Sequence, residues 1–212
     1  MIAVLDYGIG NLRSAQKALE HVGADARLVT RAEEAEGAAG VVLPGVGAFG
    51  ACMKALRSSG LDAVAHDAVD RGIPFLGVCV GMQLLYEGSD ESPDERGLGI
   101  LDGRIRLLPD GVKRPQMQWN RLEIVKPGDP LLSDLSPDGD PWVYFVHSYA
   151  AEASHDVSAY CDYGGRTVAA VARGDNVWAT QFHPEKSGVV GLRLLKNFVD
   201  RCTSDVTTEA NR

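Results

Sequence analysis

Short apolar runs alternate with amphipathic segments between residues 2 and 86, which indicates strands that alternate with helices. Glycine-rich turns separate the two kinds of segment, as at Gly8–Gly10 and Gly45–Gly50. The predicted strands are residues 2–5, 26–29, 40–43 and 73–78. The predicted helices are residues 12–22, 51–58, 61–69 and 82–86. This order is typical of an open parallel sheet with helices on its faces.

From residue 87 onward the pattern changes. Residues 87–97 are polar and acidic, so they are predicted to be exposed. Short β-rich pieces follow at 100–108, 119–125, 142–149, 157–163, 167–173 and 177–182. A last amphipathic helix is predicted over 188–202, and the polar residues 203–212 are expected to form a flexible tail. We therefore predict one α/β domain over residues 1–202, with an open, twisted, mostly parallel sheet flanked by helices and an antiparallel β extension in its C-terminal half.

Composition narrows the class of partner. The net charge of −8 and the absence of any basic run longer than two residues argue against binding to nucleic acid or to an anionic membrane. The first residues, MIAVLDYG, lack a basic segment and read as a strand, and no apolar run has the length of a membrane span. The four cysteines have no metal-ligand spacing. We expect a cytoplasmic protein that uses neither a metal nor a cofactor.

The candidate chemistry begins at Gly77-Val78-Cys79-Val80-Gly81, where a predicted strand meets a predicted helix. A sharp strand-to-helix turn needs small residues beside it, and it lifts its central side chain above the edge of the sheet. A helix N-terminus also favours an anion, which suits a thiolate nucleophile. The alternative is a buried structural cysteine. Chance gives roughly 0.05 matches to this spacing in a chain of this composition.

A base is predicted at His183-Pro184-Glu185, directly after the predicted strand 177–182. Glu185 can accept a hydrogen bond from one ring nitrogen of His183 and leave the other facing a nucleophile. The alternative is a histidine in a turn beside a solvated glutamate, although chance supplies only roughly 0.01 such triplets. Of the other histidines, His147 ends a predicted strand and is a candidate for a partner surface.

Two glycine-rich loops follow predicted strands. The loop Pro44–Gly47 could offer a backbone N–H to a developing oxyanion, or it could be simple turn chemistry. The loop at Gly8–Gly10 invites a dinucleotide-binding interpretation. It lacks the third glycine, because Arg13 stands there, so we reject that interpretation.

These segments together resemble a known family. Gly77–Gln83 and His183–Glu185 are similar to the motifs of class I (triad) glutamine amidotransferases. Within that family, the chain is similar to glutaminase subunits of imidazole glycerol phosphate synthase along most of its length. The segments that carry the closer similarity are Asp6–Leu12, Leu43–Phe49, Gly97–Gly99, Met117–Asn120, Phe145–Tyr149 and Gln181–Ser187. Val80 replaces the usual leucine and Gln118 replaces the usual glycine.

The resemblance implies a mechanism. Cys79 would attack the carboxamide of L-glutamine, and His183, oriented by Glu185, would transfer protons. The oxyanion hole would combine the N–H of Val80 with one from the loop that holds Val46 and Gly47, after a peptide flip at Val46. The residues implied to bind substrate are Gly45, Gly47 and Gln83.

The resemblance also implies a heterodimer with a TIM-barrel cyclase subunit. Ammonia would pass to that subunit, which makes imidazole glycerol phosphate and aminoimidazole carboxamide ribotide from a phosphoribulosyl formimino intermediate. The residues expected at the interface are Asn11, Trp119, Tyr144 and Lys186. The alternatives are a glutaminase subunit for anthranilate, aminodeoxychorismate or pyridoxal phosphate synthesis, a non-catalytic regulatory module, and a cysteine peptidase of the same architecture.

Overall fold

The computed structural model describes residues 1–137 and 139–209. Five α-helices are described: α1 (Leu12–His21), α2 (Phe49–Ser59), α3 (Leu61–Asp70), α4 (Val80–Leu84) and α5 (Gly188–Glu209). Two short 3-10 helices cover Ala32–Ala35 and Pro184–Lys186. The strands of the first half are β1 (Ile2–Leu5), β2 (Ala26–Val29), β3 (Gly40–Gly45), β4 (Phe75–Cys79), β5 (Gly88–Ser89), β6 (Ser92–Arg96) and β7 (Arg104–Leu107). Those of the second half are β8 (Gln116–Arg121), β9 (Glu123–Ile124), β10 (Trp142–His147), β11 (Tyr149–Ala151), β12 (Val157–Asp162), β13 (Arg166–Arg173) and β14 (Val177–Thr180).

An eight-stranded sheet forms the centre, in the order β2-β1-β3-β4-β14-β13-β12-β9. Its first five strands are parallel, and the last three continue it in antiparallel fashion. This confirms the predicted α/β fold with its antiparallel extension. Strands β1, β3, β4 and β14 are buried at every position, as expected for apolar strands covered on both faces.

The helices bury their apolar stripes against this sheet. In α1 the buried residues Leu12, Ala15 and Leu19 recur at helical spacing, and the helix packs against β2 and α5. In α5, Leu194 and Phe198 are fully buried four residues apart. No helix among the described residues is both long and apolar enough to cross a membrane.

Residues 87–97 do not form the wholly exposed segment that their polarity predicted. Gly88 and Ser89 are buried in β5, which lies between β6 and β7 in a four-stranded sheet of order β11-β7-β5-β6. The buried Ser89 hydroxyl accepts a hydrogen bond of 3.1 Å from the Glu91 N–H, which lowers the cost of burying it. The prediction was wrong here because a polar strand with paired groups can be covered by its neighbours.

Several predicted boundaries also differ. Only Arg104–Leu107 of the predicted strand 100–108 is extended, and the predicted strand 119–125 is divided between β8 and β9. Strands β8 and β10 pair with each other in a separate two-stranded sheet. Helix α5 continues past its predicted end at Cys202 to Glu209. Residues 210–212 of the expected tail lie outside the described residues, so its flexibility and the domain boundary stay predictions.

Candidate active site

The sheet topology brings the distant motifs to one edge. Strand β4 lies between β3 and β14, and all three are parallel, so their carboxyl ends meet. Cys79 ends β4 and stands opposite Gly45, the last residue of β3. His183 follows the end of β14 by three residues. The predicted nucleophile, base and glycine-rich loop therefore share one site.

The turn at Cys79 has the geometry of a nucleophile elbow. Cys79 adopts φ of 56° and ψ of −113°, and α4 starts at the next residue. A Cβ atom on Gly81 would lie 1.8 Å from the Leu43 carbonyl oxygen. One on Gly77 would lie 3.0 Å from the Gly81 carbonyl oxygen. Both glycines are therefore needed so that the returning helix can pass the sheet.

His183 and Glu185 form the predicted pair. The distance from His183 Nδ1 to Glu185 Oε1 is 2.8 Å, and both side chains are over nine-tenths buried. Because a carboxylate only accepts, Nδ1 carries the proton. The Ser187 hydroxyl fixes the turn, since it donates to the His183 carbonyl at 2.6 Å and accepts from the Tyr144 N–H at 3.0 Å.

The electrostatics of His183 favour its charged form. Burial lowers its pKa, but the neighbouring Cys79 thiol and the Glu185 carboxylate outweigh burial and raise the pKa to about 9. Among the described residues, no hydrogen bond of standard geometry reaches Nε2, the ring nitrogen on the side that interacts with Cys79. At neutral pH the imidazolium can therefore donate a proton to a leaving group near the sulfur.

A cavity of about 270 Å³ opens over these groups. Seven predicted residues line it: Val46, Gly47, Cys79, Val80, Gln83, His183 and Lys186. Glu185 stands behind His183 and lines a narrow second cleft with Asn11 and Gly45. Gly45 does not line the main cavity, because it packs under the loop, where a Cβ atom would lie 2.8 Å from Tyr7 Oη and from the Gly81 nitrogen.

Gln181 is a site residue that the sequence reasoning missed. Its Nε2 lies 3.8 Å from Cys79 Sγ, and its Oε1 accepts from Gln83 Nε2 at 3.0 Å. Gln83 also donates to the Tyr149 carbonyl at 3.1 Å. Gln181 stands two places before His183 at the end of the predicted strand 177–182, so the alternation of a strand would put both on one face, which is the signal that could have found it.

His147 and Glu91 also line the cavity. The expectation of a partner-surface role for His147 was wrong, because only 6% of it is exposed. Its Nδ1 lies 2.8 Å from the Tyr149 carbonyl oxygen, and burial lowers its pKa to about 4, so the ring is neutral. Glu91, in the segment predicted to be solvated, accepts a 2.7 Å hydrogen bond from the Phe49 N–H at the start of α2.

Three of the four expected interface residues, Asn11, Trp119 and Lys186, are exposed, and the fourth, Tyr144, is half-buried. Trp119 and Tyr144 face each other across β8 and β10, with ring centroids 6.2 Å apart. Among the described residues, no group of three or more His, Cys, Asp or Glu side chains is arranged to hold a metal ion.

Comparison with known proteins gives a consistent assignment. A family model described as glutamine amidotransferase class-I matches residues 3–202. Imidazole glycerol phosphate synthase subunit HisH of Synechococcus sp. (strain JA-3-3Ab) is 47% identical, covering 94% of this chain and 93% of that protein. The HisH subunit of Methanothermobacter thermautotrophicus is 48% identical, covering 94% and 98%.

Solved structures agree at the level of the fold. A crystal structure described as a glutamine amidotransferase superposes with a TM-score of 0.75 at 23% identity, covering 95% of this chain and 98% of that one.

Proposed function

The chain belongs to the class-I glutamine amidotransferase family, and from that premise we propose that Cys79, His183 and Glu185 are its catalytic triad. The protein is the glutaminase subunit of imidazole glycerol phosphate synthase and acts in histidine biosynthesis. The observation that carries the triad is the adjacency of parallel strands β4 and β14, which brings Cys79 and His183 to one cavity, with Glu185 2.8 Å from His183.

The reaction proceeds through a thioester. The Cys79 thiol gives its proton to His183, its sulfur bonds to the carboxamide carbon of glutamine, and the carbonyl π electrons move to oxygen. When the tetrahedral intermediate collapses, His183 protonates the departing nitrogen, which leaves as ammonia. His183 then takes a proton from water, the hydroxide attacks the thioester, and glutamate leaves as the sulfur regains its proton. Glu185 orients the ring and stabilises its charged form.

Backbone N–H groups hold the oxyanion. Val80 supplies one, because it follows the nucleophile and starts α4. The loop of Val46 and Gly47 supplies the second, since it lines the same cavity from the end of β3. One such donor is typically worth about 10²–10³ in rate. Gln83 and Glu91 offer polar groups to the amino acid end of the substrate.

The cyclase docks on an exposed apolar surface, which we call the β8–β10 face: Met117, Trp119, Trp142, Tyr144 and Val189. Trp119 and Trp142 are each 49% exposed, Met117 is 62% exposed and Val189 is 82% exposed. The register of β8 and β10 places the four strand residues on one side, and Trp119 reaches the start of α5 beside Val189. Large aromatic side chains left in solvent are typical of a protein interface.

The β8–β10 face adjoins the cavity. Strand β10 also carries Val146, which lines the cavity and whose carbonyl oxygen lies 4.0 Å from Cys79 Sγ. A partner on this face therefore receives ammonia close to where it forms. The partner is a TIM-barrel cyclase that forms a heterodimer with this chain, in the cytoplasm.

The test is the variant Cys79→Ala in complex with the cyclase. It should release no glutamate from glutamine, yet ammonium supplied directly should still support synthesis by the cyclase. Circular dichroism and cyclase affinity should match those of the wild type. Residual glutaminase activity above a few per cent would assign the nucleophile elsewhere. Peptide cleavage without glutamine hydrolysis in the wild type would favour the peptidase alternative.

A further inference from the structure

The loop that supplies the second oxyanion donor is held from below by two side chains that the mechanism above does not use. Tyr7 Oη donates to the Pro44 carbonyl oxygen at 2.8 Å. Cys52 Sγ donates to the Val46 carbonyl oxygen at 3.3 Å. Tyr7 is 5% exposed and Cys52 is fully buried, and neither lines the cavity. The two side chains thus reach the loop from the protein interior.

Both groups keep their protons at neutral pH. Burial, with Cys52 alongside, raises the pKa of the Tyr7 hydroxyl. Burial likewise raises the pKa of the Cys52 thiol. Because each group stays protonated at neutral pH, each can donate a hydrogen bond to a loop carbonyl.

The two hydrogen bonds fix the direction of the loop peptides. In a trans peptide the C=O and N–H bonds point to opposite sides. The Val46 carbonyl points at buried Cys52, so the N–H of Gly47 points the other way, where Gly47 lines the cavity. The held carbonyls of Pro44 and Val46 also bracket the Gly45–Val46 peptide, so any rotation of that peptide occurs between two anchored points.

On the side that faces the cavity, the loop is open at Gly47. Gly47 has φ of 94°, and a Cβ atom placed there would meet nothing within 4 Å. Gly45 is fixed by its pairing with Cys79 in the sheet, and α2 begins at Phe49. The Cys52 anchor therefore acts on the short free part of the loop, residues 46–48, and the Tyr7 anchor holds Pro44 just before it, within β3.

We propose that Tyr7 and Cys52 are positioning residues that hold the Pro44–Gly47 loop with the Gly47 N–H directed at the oxyanion. This inference rests on the proposed function, because it assigns the loop to glutamine hydrolysis. Removal of an anchor loosens the donor without deleting it. The effect on rate should therefore be smaller than the ~10²–10³ of a lost donor, and we expect roughly 3–10-fold.

The experiment compares four proteins, each in complex with the cyclase: wild type, Cys52→Ala, Cys52→Ser and Cys161→Ala. Cys161 is a matched control, because it is also a buried free thiol but lies on β12, beyond β13 and β14 from the nucleophile. Cys52→Ala should lower kcat roughly 3–10-fold with KM changed less than about twofold. Cys52→Ser should recover most of the rate, since a hydroxyl can donate to the Val46 carbonyl.

Amide hydrogen exchange supplies a readout independent of catalysis. Exchange in residues 45–49 should speed up in Cys52→Ala and in Tyr7→Phe, and it should stay at the wild-type rate in Cys161→Ala. Unchanged exchange and unchanged kcat in Cys52→Ala would overturn the inference. Equal losses in Cys52→Ala and Cys161→Ala would also overturn it. If the wild type releases no glutamate with its partner, the proposed function fails, and the exchange comparison still decides whether the anchors hold the loop.

Discussion

The variant Gly81→Ala tests whether the elbow depends on close approach of two backbones. A Cβ atom at this position would lie 1.8 Å from the carbonyl oxygen of Leu43 and 2.8 Å from its carbonyl carbon. Both atoms belong to the backbone of β3, so no side-chain rotation can relieve the overlap. Helix α4 and strand β3 would have to separate by roughly 1.5 Å to restore ordinary contact.

This separation has two costs. Overpacking a well-filled interior typically costs 1–3 kcal/mol, and the upper end applies here because rigid backbone is on both sides. We therefore expect the free energy of unfolding to fall by about 3 kcal/mol. The same shift moves Cys79 and the Val80 N–H relative to His183, and a misplacement of about 1 Å can cost about 10²-fold in rate.

Urea denaturation followed by tryptophan fluorescence measures the first effect, and glutamate release by the cyclase complex measures the second. Gly88→Ala is the control, because its Cβ atom would meet the guanidinium end of the Arg104 side chain at 2.8 Å, which can move away. A Gly81→Ala protein with kcat within threefold of wild type and unfolding free energy within about 0.5 kcal/mol would refute the reasoning.

Three further predictions concern the base and the partner surface. Glu185→Gln should lower the pKa of His183, because it removes one of the groups that raise that pKa. The alkaline limb of the pH–rate profile should therefore move to lower pH. A limb that does not move would contradict the pairing of His183 with Glu185. His183, with its pKa raised to about 9, stabilises the fold fully below its ordinary value of 6.5 and loses this contribution as the pH rises to 9. His147, with its pKa lowered to about 4, stabilises the fold above pH 6.5 and loses this contribution as the pH falls to 4. Thermal unfolding between pH 4 and 9 should show both declines in the wild type and only the acid one in His183→Gln; an alkaline decline that persists there would reject the assignment. Trp119→Ser should weaken cyclase binding at least roughly 30-fold by titration calorimetry, with the melting temperature of the lone subunit unchanged, and equal affinity would exclude the β8–β10 face.

The sequence was sufficient for the elements that depend on local pattern. Cys79 between two glycines and His183 after an apolar strand were both recognisable, because turn chemistry and strand ends are local features. The placement of β14 beside β4 was not recognisable from spacing, because residues 80–176 lie between them and build two other sheets as well as three further strands of the central sheet.

The polar residues that the sequence reasoning misjudged are those whose burial depends on tertiary partners. Gln181 is fully buried because Gln83 donates to its side-chain oxygen and the Cys79 sulfur accepts from its side-chain nitrogen. Ser89 is buried because neighbouring strands cover it. Tyr7 precedes Pro44 by 37 residues, and the direction of the Cys52 thiol depends on how α2 packs. Only the folded chain therefore shows which carbonyl oxygens the two side chains reach.

Strand β10 carries the exposed Trp142 of the β8–β10 face, and its Val146 carbonyl oxygen lies 4.0 Å from the Cys79 sulfur. Its Tyr144 carbonyl accepts a 3.0 Å hydrogen bond from the His183 N–H, so the strand is bonded to the proposed base as well as adjacent to the proposed nucleophile. A compound that binds over Trp119 and Trp142 and displaces this strand should inhibit glutamine hydrolysis without entering the cavity. Such an inhibitor would not need to resemble an amino acid. Because Val146 and His147 of this strand line the cavity, the inhibitor and glutamine should weaken each other's binding by the same factor.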